Sequence, residues 1–284
     1  LMRSSAASDV YKRQVIIRWV ISLTELENSL IETVYKKYYT GEHGECRYYG
    51  ICKKRLKNKQ PKHQCDRVRI GENYGKDKLP KILFVGIEGF CDYVNEYNVV
   101  NAFSRPSSTA NNAHYNGLLY IMQYLLSSYG KCPKPKKVEI NNDDQLNLTD
   151  KFALTNLYRC AFVSKDSPNE TRGLSHTVGM KEHCPEILLD EINYLCPDII
   201  VIQTSQWPKG LFDKMKDNYE FNEPELSFGK YNETSLYKGH IGNKPIILLC
   251  TYHGAYAKYS SEQYLSEQLN PVLDKAIELM NSKA

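Results

Sequence analysis

The run Ile82-Leu-Phe-Val85 carries no polar side chain. An apolar run that short reads as a β-strand covered on both faces, the kind found inside a parallel sheet. Similar strands are expected at 152–156, 199–203 and 244–250. Between them lie stretches with helical character. Residues 111–128 place Leu118, Ile121, Met122 and Leu125 on one stripe, a helix is expected from about Pro185 with the proline in its first turn, and 210–218 is expected to be helical. Two helical pieces around Pro271 close the chain. Strands alternating with helices predict an α/β fold, doubly wound, with three layers α/β/α about a central, mostly parallel sheet.

Three of these strands deliver a polar residue at their C-terminal end. Glu88 stands in Gly86-Ile-Glu-Gly-Phe90, Asn156 in Leu154-Thr-Asn-Leu-Tyr-Arg-Cys160, and His253 in Thr251-Tyr-His-Gly254. Open α/β sheets keep their chemistry at that edge, so a carboxylate, an amide and an imidazole delivered there form a candidate active site. Gly86-Ile-Glu-Gly89 matches neither the dinucleotide-binding Gly-x-Gly-x-x-Gly nor the P-loop, which argues against a nucleotide-processing enzyme.

The N-terminal third has a different character. Residues 1–14 look like the translation of a sequencing-library adapter and are set aside from fold reasoning. Without their three basic and one acidic residues the formal charge falls from +4 to +2, so any nucleic-acid footprint must be local. The apolar stretch 15–22 is short and broken by Arg18, which rules it out as a bilayer span. Ser22-Leu-Thr-Glu25 reads as a capping box, and Leu26, Leu30, Ile31 and Val34 share one helical face through about Tyr39. From Tyr39 to Pro80 the chain is rich in Lys, Arg and Cys and shows little apolar periodicity. A loop that long needs an organiser, and a metal group would be one. The chain has nine cysteines, which in a cytoplasmic protein favour metal ligation or buried thiols over disulfides.

Taken in order, Lys81-Ile-Leu-Phe-Val-Gly-Ile-Glu-Gly89, Thr155-Asn-Leu-Tyr-Arg-Cys160, the Cys184-led helix running into Leu195-Cys-Pro-Asp-Ile-Ile-Val201, and Thr251-Tyr-His253 resemble the uracil-DNA glycosylase superfamily. They are most similar to its iron–sulfur-containing bacterial branch. The resemblance runs from about Cys46 to Tyr256. It departs from the family pattern at Gly89 and Phe90, where Pro-Gly is usual, and at Gly254, where a proline usually follows the histidine.

That resemblance implies the fold and a set of roles. Glu88 would orient water and stabilise an oxocarbenium-like sugar, and His253 would stabilise the departing base. Asn156 would read the edge of the flipped base, with Tyr115 or Phe90 as its stacking face. Four of Cys46, Cys52, Cys65, Cys160 and Cys184 would hold a [4Fe–4S] cluster, with Cys46 and Cys52 both open as the remaining ligand. Structural zinc would use the same ligand type. The expected organisation is an adapter-derived 1–14, a helix and cluster-binding segment over 15–80, and a glycosylase-like domain over 81–284. The expected protein is a cytoplasmic, monomeric DNA-repair hydrolase releasing uracil or another deaminated base from DNA, without a membrane partner. The rival is a catalytically silent nucleic-acid-binding member of the same fold.

Overall fold

The computed structural model describes residues 25–41, 45–53, 59–63, 67–88, 113–137, 148–164, 177–203, 211–229, 233–252 and 257–282. The capping serine Ser22 therefore lies outside the described residues. The first helix, α1, runs on through Glu25–Leu30, Ile31–Tyr35 and Lys36–Tyr38, its middle section wound as a π-helix. It buries Leu30, Val34, Tyr35 and Tyr38 on one side.

The expectation of a structureless stretch from Tyr39 to Pro80 is corrected. That region contains the short helix α2 (Tyr49–Lys53) and strands β1 (Lys59–His63) and β2 (Arg69–Ile70). Aromatic and backbone contacts hold it in place. The Arg47 guanidinium lies 4.7 Å from the ring centres of both Tyr38 and Tyr48, and Tyr48 stacks on His183 at 3.9 Å. The Gly71 amide donates to the Phe152 carbonyl at 2.9 Å, and the buried Glu27 carboxylate accepts from the Ile70 amide at 3.1 Å.

The sheet is built from β2, β3 (Ile82–Glu88), β4 (Phe152–Tyr158), β6 (Ile199–Gln203), β7 (Leu226–Phe228), β8 (Thr234–Ile241) and β9 (Lys244–Thr251). Among the described residues it has seven strands in the order β2-β4-β3-β6-β9-β8-β7. The four central strands β4, β3, β6 and β9 are parallel, while β2, β8 and β7 join antiparallel at the edges. The sheet is thus mixed rather than purely doubly wound. A separate ribbon pairs β1 with β5 (Ala161–Ser164).

Strand period sorts the core into two faces. Leu83, Val85, Ala153, Ile200 and Leu248 pack with α1, α2, α4 (Val178–Leu195) and α5 (Leu211–Tyr219). Ile82, Phe84, Phe152, Val201 and Leu249 pack with α3 (Ala113–Ser127) and the C-terminal helix α6. Helix α6 continues through Glu262–Tyr264, Leu265–Leu269 and Asn270–Asn281. It is one helix where two pieces around Pro271 were expected. Its π-wound section directly precedes the proline and absorbs the missing N–H and the ring's clash with the turn before it.

Helix α4 also begins earlier than expected. Thr177 caps it, its hydroxyl accepting from the Met180 amide at 3.1 Å, so Pro185 and Cys184 sit inside the helix instead of in its first turn. It ends at Cys196, whose left-handed backbone (φ 45°) turns the chain into β6. Asp198 then ties the N-terminal edge of the sheet together. Its carboxylate accepts from the Lys81 amide at 2.7 Å and pairs with Lys244 at 2.8 Å. No described helix is long and apolar enough to cross a membrane.

Candidate functional site

The C-terminal ends of β4, β3, β6 and β9 lie side by side, and the register brings specific residues together there. Gly86 pairs with Asn156 and Glu88 with Tyr158 across β3 and β4. Asn156 follows Phe152 and Leu154 in strand period, which puts it on the face that α3 and α6 cover. Its amide oxygen sits over Gly86, 2.6 Å from where a Cβ there would stand. Residue 86 is a glycine because the Asn156 amide occupies the space of its side chain.

Two strands further along, the same face and edge hold Gln203 and Thr251, both fully buried. The Thr251 hydroxyl hydrogen-bonds the Tyr259 hydroxyl, and the Gln203 amide approaches the same oxygen at 3.5 Å. The Tyr259 hydroxyl donates onward to the Tyr252 carbonyl at 3.1 Å, and burial pushes its ionisation well above the ordinary phenol range. The ring of Tyr259 lies against Gly117 of α3, where a Cβ would come within 2.6 Å of it. Tyr259 therefore fixes the first half of α3, the helix that bears Tyr115, against the sheet edge.

Of the residues expected here, Glu88 ends β3, Asn156 stands beside it on β4, and Tyr115 lies on α3. His253 and Phe90 lie outside the described residues, although β9, which leads to His253, ends at Thr251 on the same edge. Gln203, Thr251 and Tyr259 were not anticipated. Gln203 carried the same signal as Glu88, a polar residue closing an apolar strand.

The opposite face of the sheet holds the cysteines. Cys46, Cys52, Cys160 and Cys184 are all buried in one apolar cluster, and Cys65 lies outside the described residues. Cys52 on α2 lies against Gly179 of α4, 3.2 Å from where a Cβ would be. The Cys184 thiol hydrogen-bonds the backbone of Arg159, next to Cys160, and interacts electrostatically with Cys46 and Cys52. Burial pushes the Cys184 thiol up to about 12 and raises those of Cys46 and Cys52. Among the described residues, no three His, Cys, Asp or Glu side chains stand in a group that would hold a metal ion. Cys250, facing the same side from β9, is a fully buried apolar-type cysteine.

Beside the thiols runs a polar network that sequence reasoning missed. Arg159 and Glu191 are both wholly buried and pair at 2.7 Å. Thr155 bridges them, accepting from Arg159 at 2.7 Å and donating to Glu191 at 2.9 Å. The Tyr35 hydroxyl donates to the other Glu191 oxygen and accepts from the Val68 amide at 2.6 Å. Burial pushes the Glu191 carboxyl upward, while the Arg159 guanidinium and the donating hydroxyls pull it back. Arg159 is held charged, so the pair links α1, β4 and α4 as an ion pair. The Arg159 Nε has no hydrogen-bond partner among the described residues. One signal was available: Glu191 falls at helical spacing among Cys184, Ile187, Leu188, Ile192 and Leu195, on the buried stripe of α4.

By residue type alone, buried thiols beside a fixed cation with an orphaned buried donor are of the chemistry that a thiolate-ligated metal group uses, with Cys65 outside the described residues. No protein-family model matches this chain, and no curated protein matches it.

Proposed function

We propose that this chain is a DNA glycosylase of the uracil-DNA glycosylase type, hydrolysing the N-glycosidic bond of uracil or another deaminated base. The observation that carries the reading is the placement of the Asn156 amide over Gly86, near the end of the strand that delivers Glu88 and on the same sheet edge as the strand leading to His253, two strands away. A flipped base needs an edge-reading group, an activated water and a donor for the departing anion, all within one pocket.

In this reading Asn156 donates to a carbonyl and accepts from the N3–H of uracil, a pattern cytosine does not offer to the same rotamer. Contact with Gly86 supports one orientation of the amide. Glu88 holds the attacking water and stabilises positive charge on the sugar, and His253 donates an N–H to the leaving base. Tyr115 or Phe90 supplies the stacking face. Cys65, Cys160 and Cys184, with either Cys46 or Cys52 as the fourth, would be the ligands for a [4Fe–4S] cluster or, with the same donors, a structural zinc. The metal group would tie α2, β4 and α4 together on the far side of the sheet and stiffen the segment leading to β3. DNA is the partner, bound by a monomer in the cytoplasm.

The test is abasic-site formation on uracil-, hypoxanthine- and xanthine-containing oligonucleotides, read by alkaline strand cleavage. Wild type is expected to cleave at least one. Glu88→Gln is expected to slow base release by roughly 10²–10⁴, the usual worth of a positioned acid–base group, with DNA affinity kept. Asn156→Ala is expected to lose discrimination as well as rate, and His253→Ala to slow release of the anionic base. Binding of DNA by wild type without cleavage of any of these substrates would replace the enzyme with the silent binding protein that the substitutions Gly89 and Gly254 also suit.

A further inference from the structure

Arg159 is clamped from one side and left open at one atom. Its Nη1 donates to the Thr155 hydroxyl at 2.7 Å and its Nη2 to the Glu191 carboxylate at 2.7 Å. The side chain is 0% exposed, yet its Nε–H has no acceptor among the described residues. Buried donors without partners are rare in folded proteins, and one on a charged group is the costliest kind. Thiols are among the groups that Arg159 interacts with. Arg159 precedes Cys160 in sequence, its backbone hydrogen-bonds the Cys184 thiol, and its charge acts on both Cys184 and Cys46. A neutral thiol is a weak acceptor, whereas a metal-bound thiolate or an inorganic sulfide is a good one.

We infer that Arg159 is a positioning residue for the thiolate-bound metal group, its Nε–H donating to a sulfur of that group while Glu191 and Thr155 hold the guanidinium still. This rests on the metal proposed above. The arrangement has the logic of an outer layer around a metal site: a second residue fixes the donor and the donor offsets the negative charge of the sulfurs. It also explains why a charge is buried here. A wholly buried ion pair adds little to stability against an apolar equivalent, so a functional reason for retaining it is called for.

The test uses protein purified anaerobically with its native metal. Three forms are compared with wild type for iron, sulfide and zinc content and for midpoint potential by redox titration. Arg159→Lys keeps the charge and loses the Nε–H. The double variant Arg159→Met with Glu191→Gln removes both charges and guards against a fold failure of the single change. Tyr35→Phe weakens the same network without touching Arg159. Both Arg159 variants are expected to load metal and to shift the reduction equilibrium about tenfold toward the oxidised state, the scale of one hydrogen bond to a charged group. Tyr35→Phe is expected to melt earlier but to titrate with wild type, which a merely structural role would not produce. If the native metal is zinc, the readout becomes the rate of stripping by chelator, expected to be about tenfold faster for the Arg159 variants and unchanged for Tyr35→Phe.

Equal potentials, or equal stripping rates, for wild type and Arg159→Lys overturn the inference and leave water as the partner of Nε. A wild type carrying neither iron nor zinc overturns it together with the metal proposal. The base-release assay reads neither event, so the failures are told apart.

Discussion

At the scale of single residues, the contact between Gly86 and Asn156 separates chemistry from stability. A methyl at residue 86 would meet the Asn156 amide oxygen at 2.6 Å, so the amide has to shift to make room. Gly86→Ala is therefore expected to cost about 1 kcal/mol of stability, the low end for overpacking, while loosening discrimination between uracil and cytosine. A large stability loss with discrimination intact would show that the amide does not read the base. Glu191→Gln is the opposite case. It leaves the wholly buried Arg159 without its counter-charge, and breaking such a pair from one side costs about 3–5 kcal/mol. Denaturant unfolding should show that loss in the midpoint. A change below about 1 kcal/mol would mean the pair is not ionised in the folded protein.

Elements were legible in the sequence where burial is two-sided and obscured where it is not. Strands β3, β6 and β9 announced themselves because both faces are covered, which leaves near-continuous apolar runs. Strand β8, Thr-Ser-Leu-Tyr-Lys-Gly-His-Ile, reads as polar because Lys238 and His240 point outward near the edge of the sheet. Strands β1 and β2 are too short to show a period. The start of α4 was hidden by Pro185, which local rules place in a first turn and the fold buries in the helix interior. The sheet-edge positions of Glu88 and Asn156 followed from strand ends alone. The Arg159–Glu191 pair did not, because burial of charge is decided by what tertiary structure stacks on it.

Two capping devices carry predictions at this scale. Thr177→Ala removes the acceptor for the Met180 amide and should cost about 1 kcal/mol. Helix α4 carries both Cys184 and Glu191, so retention of the metal group proposed above, measured against chelator, should fall along with the melting temperature. Asp198→Ala unties the opposite edge of the sheet, leaving the Lys81 amide and Lys244 without their carboxylate. A loss of about 1–3 kcal/mol is expected, with rate and discrimination unchanged because the substitution lies at the far ends of the strands. A fall in rate at full folding would place Asp198 in the chemistry instead.

The whole molecule stores an unusual number of phenols in its core, and that sets how it fails at high pH. The chain has 22 tyrosines. Tyr35 and Tyr259 are fully buried, with ionisation pushed well upward by burial, and Tyr74 and Tyr219 are raised for the same reason. Cys250 is raised likewise. Unfolded, a phenol ionises near about 10 and a thiol near about 8.5. Above those values the native state holds protons that the unfolded chain has released, so stability falls with rising pH, by about 1.4 kcal/mol per such group per pH unit. Below them these groups contribute no pH dependence. Tyrosinate absorbance should thus rise in two stages: a reversible one near the ordinary phenol value from exposed rings, then a cooperative one at higher pH that coincides with loss of the sheet signal in circular dichroism. Tyr259→Phe removes one raised group and one partner of Thr251. It should lower stability at neutral pH by about 1 kcal/mol and make the alkaline decline shallower. If every tyrosine instead titrated in a single stage with the sheet signal intact, the two-faced core around β3 and β6 would not be the one in solution.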